Sequence, residues 1–464
     1  MDGTVGRRVL LLQGPPTHFF AVVRAAFEEA GVPVWRVALH NGDALRAGGE
    51  VLPFRGRLEE FGAYLEEVID RHAISDVLYY ADRPPYHRIA QQVAAKTGVN
   101  AYVIENGYLR PDWLTLEPYG MSAYSRFPVD RAKIEAMAAD APPVEDTSLY
   151  GHTFAHEGWL DVTYNFSSLA GSLRYPHYVR DRHHPIREYW SWLPQLVRRI
   201  VAQKQAPKRI AALNALNRPY FLFPLQLQED YQIRHNSRYV RLSEMIHQVF
   251  GSFARAAPPE MMLLVKVHPL DNGIENWTGV LKRAKREYGL TGRIRLMSAG
   301  PLEQMLARCK GVVLANSTVG LTAIRSGKPV LALGAAVYDL PGLTSRQSID
   351  GFFRKPEAPD PVFADAFIRA LTLATQLKGS FYHPDGMEVA AREIVRRVLA
   401  GYATRPWFEA EPPRLAPAIA EGVPADPWPQ VGPDPSLDVG PDASLDVGAE
   451  TSRPPGAGRR TLMR

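Results

Sequence analysis

A chain of 464 residues with 46% apolar and 22% charged residues has the make-up of a soluble globular protein with room for two domains. Its formal charge of +5 is too slight to indicate a nucleic-acid partner, but it suits work beside an anionic membrane or on phosphorylated substrates. The single cysteine, Cys309, excludes an internal disulfide framework and a multi-cysteine zinc site, and it fits a reducing cytoplasm.

Cys309 lies on a helix-like stretch and reads as a small core residue rather than a nucleophile. No run of eighteen apolar residues occurs, so no membrane span is expected. The first apolar run, Val9–Leu12, is too short for a signal peptide and reads as a strand. A cytoplasmic protein, associated peripherally with a membrane, is the expectation.

In chain order, the loop Gln13–His18 follows that strand, and Phe19–Ala30 is helical with Phe19, Val22, Val23 and Phe27 on one face. Val34–Leu39, Asp76–Ala81 and Ala101–Ile104 are strands, and His87–Thr97 is a helix closed by Gly98. Residues 105–117 read as one acidic loop after the last of these strands. Residues 120–205 are irregular, and Tyr175–Pro185 reads as an amphipathic connecting helix without trusted metal-ligand spacing.

A second alternating unit follows. Tyr220–Pro224 and Met261–Val267 are strands, with Ser243–Phe253 and Leu302–Cys309 helical. Val312–Ala315 then leads into the helix Val319–Ser326, stopped by Gly327, and Pro329–Leu333 is a last strand. Strands alternating with helices call for parallel sheets covered on both faces. The fold class is therefore α/β, with two Rossmann-like domains facing a cleft. The expected bounds are 1–205 and 206–404, the final helix returning to the first domain. Beyond 405 proline dominates, and 431–438 recurs almost unchanged at 439–446, so residues 405–464 are expected to be a disordered tail.

Ligands of open α/β sheets gather at the carboxyl ends of strands. Lys266, His268 and Pro269 stand at one such end, and alternation turns Lys266 and His268 the same way. Asn316, Ser317, Thr318 and Gly320 open a helix at another, where hydroxyls and backbone N–H groups suit an anion. Together they fit a single-phosphate nucleotide site. The plainer alternatives are a strand-end histidine satisfied by backbone and an ordinary helix cap. The Gln13-Gly14 loop lacks a Gly-x-Gly-x-x-Gly fingerprint, and no Walker-type Gly-Lys-Thr occurs, so dinucleotide binding and NTP hydrolysis are poorly supported. Prolines at 15 and 16 remove two backbone donors, so Gln13 and Gly14 are expected to contact acceptor or sugar rather than cradle a phosphate, a plain β–α turn being the alternative. Glu105, Asp112 and Glu117, beside Arg110 and with Asp82 at a neighbouring strand end, can serve as base or nucleophile in glycosyl transfer. Solvated loop acids are the alternative.

Six stretches in order carry a resemblance. They are Leu12–Pro15, Ala81–Pro84, Glu105–Pro111, Phe223–Ile233 (with Gln226 and Asp230), Lys266–Asp271 and Asn316–Leu321. On these the chain resembles the bacterial capsule polysaccharide biosynthesis and export family, in its single-module members associated with β-Kdo transfer (Kdo, 3-deoxy-manno-octulosonic acid). The resemblance implies a GT-B-like architecture, CMP-Kdo as donor with no further cofactor, and a phosphatidylglycerol-type lipid acceptor at the inner membrane. It also implies a setting close to the capsule synthesis and export complex. His268 and the Ser317-Thr318 loop would then hold the CMP phosphate without a metal, and a β-linkage made with retention would need a carboxylate nucleophile or a front-face route. Glu105 or Glu117 would take part, with Asp82 and Asp112 in reserve. A transferase for another CMP-sugar and a non-catalytic partner of capsule export are the competing readings.

Overall fold

A computed structural model describes residues 6–144, 147–180, 184–228 and 230–426. Strands β1 (Val9–Leu11), β2 (Val34–Ala38), β3 (Leu52–Pro53), β4 (Asp76–Tyr80), β5 (Asn100–Asn106) and β6 (Trp113–Pro118) build a first sheet. Strands β7 (Tyr220–Pro224), β8 (Met262–Lys266), β9 (Ile294–Met297), β10 (Cys309–Leu314) and β11 (Val330–Ala332) build a second, and β12 (Gln376–Lys378) returns to the first.

The first sheet runs β12-β6-β5-β4-β1-β2-β3 and the second β11-β10-β7-β8-β9. The second is parallel throughout. In the first, β6 alone runs against its neighbours. Each unit starts on a middle strand and reverses its winding there, which opens a crevice between β1 and β4 in one sheet and β7 and β10 in the other. Near-continuous apolar strands such as Val9-Leu10-Leu11 and Phe221-Leu222-Phe223 are fully buried, as strands covered on both faces must be. Helix Phe19–Glu29 puts Phe19, Val23 and Phe27 on one buried face, against the sheet and against helix Pro384–Leu399.

The structure departs from the sequence reading in five places. Residues 105–117 are a β-hairpin rather than a loop: Leu114 and Leu116 alternate inward on β6, which pairs Glu105 with Thr115 and Val103 with Glu117. Cys309 is buried but opens β10 instead of closing a helix. The irregular middle holds two helices, Phe154–Ala170 and the 31-residue Pro185–Ala215, joined through 171–184. Of the expected connecting helix at 175–185, residues 181–183 lie outside the described residues, and helical structure begins only at Pro185.

Residues 405–426, expected as part of a disordered tail, are folded instead. Leu415, Ala418 and Val423 supply enough apolar surface for helix Leu415–Ala420 and its flank to pack on Ala123 and Tyr124. Arg414, buried, donates to the carbonyls of Phe127, Pro128 (3.0 Å) and Val337 (2.8 Å). The repeat at 431–446 lies outside the described residues.

Candidate functional site

The second sheet offers three adjoining loops. β7 lies between β8 and β10, so at the usual strand spacing the His268 and Ser317 loops leave the sheet about 10 Å apart. The Gln226 amide bridges the crevice, donating to Asn316 Oδ1 at 3.0 Å and accepting from the Asn316 backbone at 3.3 Å. Asn316 in turn donates to the Gln232 carbonyl at 2.9 Å. Asp230 caps helix Tyr231–Asn236 by accepting from Gln232 N–H at 2.9 Å. Ser317 Oγ accepts from Val319 N–H at 3.3 Å, and Thr318 precedes helix Val319–Arg325 without a side-chain cap bond. At Gly320 a Cβ would fall 2.3 Å from the Tyr338 hydroxyl, which itself donates to the Ser317 carbonyl at 2.5 Å. Gly320 is thus required by packing.

His268 Nδ1 accepts from Leu270 N–H at 3.1 Å, which puts the ring proton on Nε2 as a donor. Burial, then the charges of Lys266 and Arg110, lower its pKa to about 4, so the ring is neutral at physiological pH. Burial also lowers Lys266. Pro269 is exposed at the turn beyond.

The first sheet brings Glu105 to meet this group. Its Oε2 accepts from the Tyr231 hydroxyl of the second unit at 3.1 Å, and its Oε1 accepts from Asn106 N–H at 2.8 Å. Burial pushes its pKa up, opposed by those donors and by Arg110. Arg110, exposed and steadied by the Gly107 carbonyl at 3.1 Å, therefore acts on both Glu105 and His268 across the cleft. A second link between the units runs from Ser122 Oγ to Gln232 Oε1 at 2.8 Å.

The other acids stand apart. Glu117 is fully buried on β6 and takes hydrogen bonds from Tyr108 (2.6 Å) and Ser125. Burial drives its pKa to about 7 against those donors and Arg414. Asp82 is also fully buried: Oδ2 accepts from Met121 N–H at 2.9 Å and lies 3.4 Å from Arg83, while Oδ1 has no partner. Asp112, at φ +63°, spends its carboxylate on the N–H groups of Leu149 and Tyr150 (3.0 Å).

Gln13 is drawn into a separate polar cluster. His40 Nδ1 accepts from Gly42 N–H at 3.0 Å, so its proton sits on Nε2, 2.8 Å from the Gln13 amide, which must present its oxygen there. Tyr164 and Tyr178 hydroxyls lie 3.2 Å from the same point, and Tyr164 also bonds Asp43. Gln13 so ties helix Phe154–Ala170 to the first sheet. Gly14 permits the Phe20 ring to close over the loop, since a Cβ would sit 2.9 Å from it.

The structure thus gathers Glu105, Arg110, Lys266 and His268 about one cleft, with Gln226, Asn316, Ser317 and Thr318 along its second wall. Tyr231 and Tyr382, the latter close enough to feel the Glu105 charge, were not singled out from sequence, although Tyr231 lies in the Phe223–Ile233 stretch; only its place just beyond β12 could have marked Tyr382. Among the described residues no three His, Cys, Asp or Glu side chains cluster as metal ligands. The arrangement suits an anionic ligand, since two cations and an imidazole N–H stand beside a half-buried carboxylate.

A family model described as capsule polysaccharide biosynthesis protein matches residues 75–382. Over 387 residues the chain is 31% identical to the capsule polysaccharide export protein KpsS of Escherichia coli, covering 81% of this chain and 97% of that one. It is 29% identical over the same length to the capsule polysaccharide modification protein LipB of Neisseria meningitidis serogroup A, covering 81% and 91%. Among solved structures, the KpsC β-Kdo 2,7 transferase of Thermosulfurimonas dismutans aligns over 85% of this chain and 99% of its own, with a TM-score of 0.44 and 14% identity.

Proposed function

Because the chain belongs to the capsule polysaccharide biosynthesis family, we propose that it is a glycosyltransferase moving Kdo from CMP-Kdo to a (lyso)phosphatidylglycerol acceptor, with retention. The product would begin the Kdo linker of a capsular polysaccharide. One observation carries this reading: Glu105 bonds Tyr231 of the second unit, and Arg110 beside it acts on both Glu105 and His268, which also feels Lys266. A CMP-activated acid sugar brings one phosphate charge and one carboxylate charge. Two cations and a neutral N–H donor balance that pair without the second phosphate that a nucleoside diphosphate would add.

In the proposed reaction the Glu105 carboxylate attacks the anomeric carbon as the bond to the CMP oxygen breaks, and CMP leaves with the electron pair. His268 Nε2–H, Lys266 and Arg110 stabilise the charge gathering on that phosphate. An acceptor hydroxyl then attacks the same carbon, gives its proton to a base, and Glu105 departs. Two inversions amount to retention. Asp82, buried but close enough for its charge to act on the Tyr231 hydroxyl, is held in reserve as a second carboxylate. Glu117 and Asp112 support the hairpin that carries Arg110. The relatives are named for capsule export and modification, which supports a setting at the inner membrane beside that machinery.

Incubating purified protein with CMP-Kdo and a fluorescent phosphatidylglycerol analogue tests the proposal. Mass spectrometry should find one or more Kdo residues on the lipid. Turnover of CMP-sialic acid instead would reassign the sugar. Tight CMP binding without turnover on any lipid acceptor would make the protein a non-catalytic component of capsule export.

A further inference from the structure

Helices Phe154–Ala170 and Pro185–Ala215 form a hairpin closed by aromatic pairs, Phe154 with Trp192 and Phe166 with Tyr189, their ring centroids 5.8 and 5.7 Å apart. Its underside is engaged. Tyr164 reaches Gln13 and Asp43, Glu157 accepts from Tyr382 at 3.2 Å, and Gln195 lies against Gly273 just beyond His268. The hairpin therefore rests on loops of both sheets at the edge of the cleft.

Its outer face is bare. Of the eighteen large apolar side chains that stand exposed among the described residues, twelve fall between Leu149 and Leu216. At 100° per residue, Ile186, Trp190, Val197, Ile200 and Val201 share one side of the long helix. Trp190 is 69% exposed and Trp159, on the companion helix, 66%. A folded chain rarely leaves so much apolar surface in one place without something to cover it. The same stripe runs on into Lys204 and Lys208, both exposed, and residues 149–216 hold nine Lys and Arg against four Asp and Glu. No helix among the described residues is long and apolar enough to cross a membrane.

We infer that this face docks the protein onto an anionic lipid surface, with Trp159 and Trp190 seated at headgroup level and the basic residues on lipid phosphates. Tryptophan favours that depth because its ring is apolar and its N–H polar. Basic residues around an apolar stripe are the composition of helices that lie in the interface plane. The charge excess selects this occupant over a second copy of the chain, whose like-charged face would be repelled. The consequence for the proposed reaction, which this part of the inference rests on, is that the cleft edge lies at the bilayer and a lipid acceptor need only rise a short way to reach Glu105.

The test is flotation of the full chain with vesicles of phosphatidylcholine alone or mixed with phosphatidylglycerol, read beside CMP binding by calorimetry. Binding is expected only to the mixed vesicles, weakening at high salt, with tryptophan emission shifting to the blue. W159E/W190E and K204E/K208E should each reduce flotation at least tenfold while CMP affinity stays unchanged. Equal flotation of the variants and the wild type would overturn the inference, as would no binding to mixed vesicles by a chain that still binds CMP. A stable dimer in solution, dissociated by W159E/W190E, would also overturn it by giving the face to a second copy. Failure of transferase activity alone would bear on the proposed reaction and leave the docking face standing.

Discussion

Replacing Glu117 by glutamine separates the two glutamates of the β5–β6 hairpin. Glu117 has no exposed surface, and its pKa stands near 7 rather than 4.5, with burial as the main cause. A shift of that size is worth about 3 kcal/mol at roughly 1.4 kcal/mol per pH unit. The sign follows from linkage: a raised native pKa stabilises fully below the unfolded value and is lost as pH climbs through the native one. Glutamine imitates the protonated acid, its N–H₂ facing whichever of the Tyr108 and Ser125 hydroxyls turns to accept. E117Q should therefore gain on the wild type by about 2 kcal/mol between pH 5 and pH 8. Urea unfolding of both proteins at the two pH values measures this. An offset between them that does not change with pH would refute the buried-acid reasoning. E117Q should also keep its turnover, because its carboxyl touches Tyr108 and Ser125 and not the cleft.

Four further outcomes are expected. E105Q should lower CMP release by about a thousandfold or more, in the range for loss of a covalent nucleophile, while calorimetry finds CMP affinity intact. H268A should weaken CMP binding about tenfold, the worth of one charge-assisted hydrogen bond, and wild-type affinity should stay flat from pH 6 to 8 because the ring is already neutral. The depressed histidine also makes stability fall as pH drops from 6.5 towards 4, where the unfolded chain takes up the proton first; urea midpoints at pH 6.5 and 4.5, compared with those of H268A, test this. G320A should cost about 1–3 kcal/mol by thermal or urea unfolding, as overpacking against Tyr338 does, and the double variant G320A/Y338F should recover part of it.

Most of the parallel framework was legible, because strands buried on both faces are written as unbroken apolar runs such as Tyr220–Pro224, and helices as a 3.6-residue stripe such as Phe19, Val23 and Phe27. The loops at strand ends followed from the same pattern, so Lys266, His268 and Asn316 could be picked out. Long-range facts could not. Nothing in Trp113–Pro118 says that it turns back beside β5, so Glu117 passed for a loop acid. Gln13 looked available because Tyr164 and Tyr178, which occupy it, lie over 150 residues away. Tyr231 became a partner of Glu105 only through the meeting of the two sheets, and Arg414 showed no sign in sequence that three carbonyls waited for it.

Strand β12 seals the edge of β6, with Gln376 bonded to Thr115 from 261 positions away, and helix Pro384–Leu399 then lies on the first helix of the chain. During synthesis the amino-terminal half must wait, its outermost strand bare, until almost four hundred residues have left the ribosome. The unit built from β7 to β11 draws every strand from a contiguous stretch and can be complete before that moment. The half made first is finished last, so a nascent chain arrested before residue 376 presents an open ladder to its neighbours.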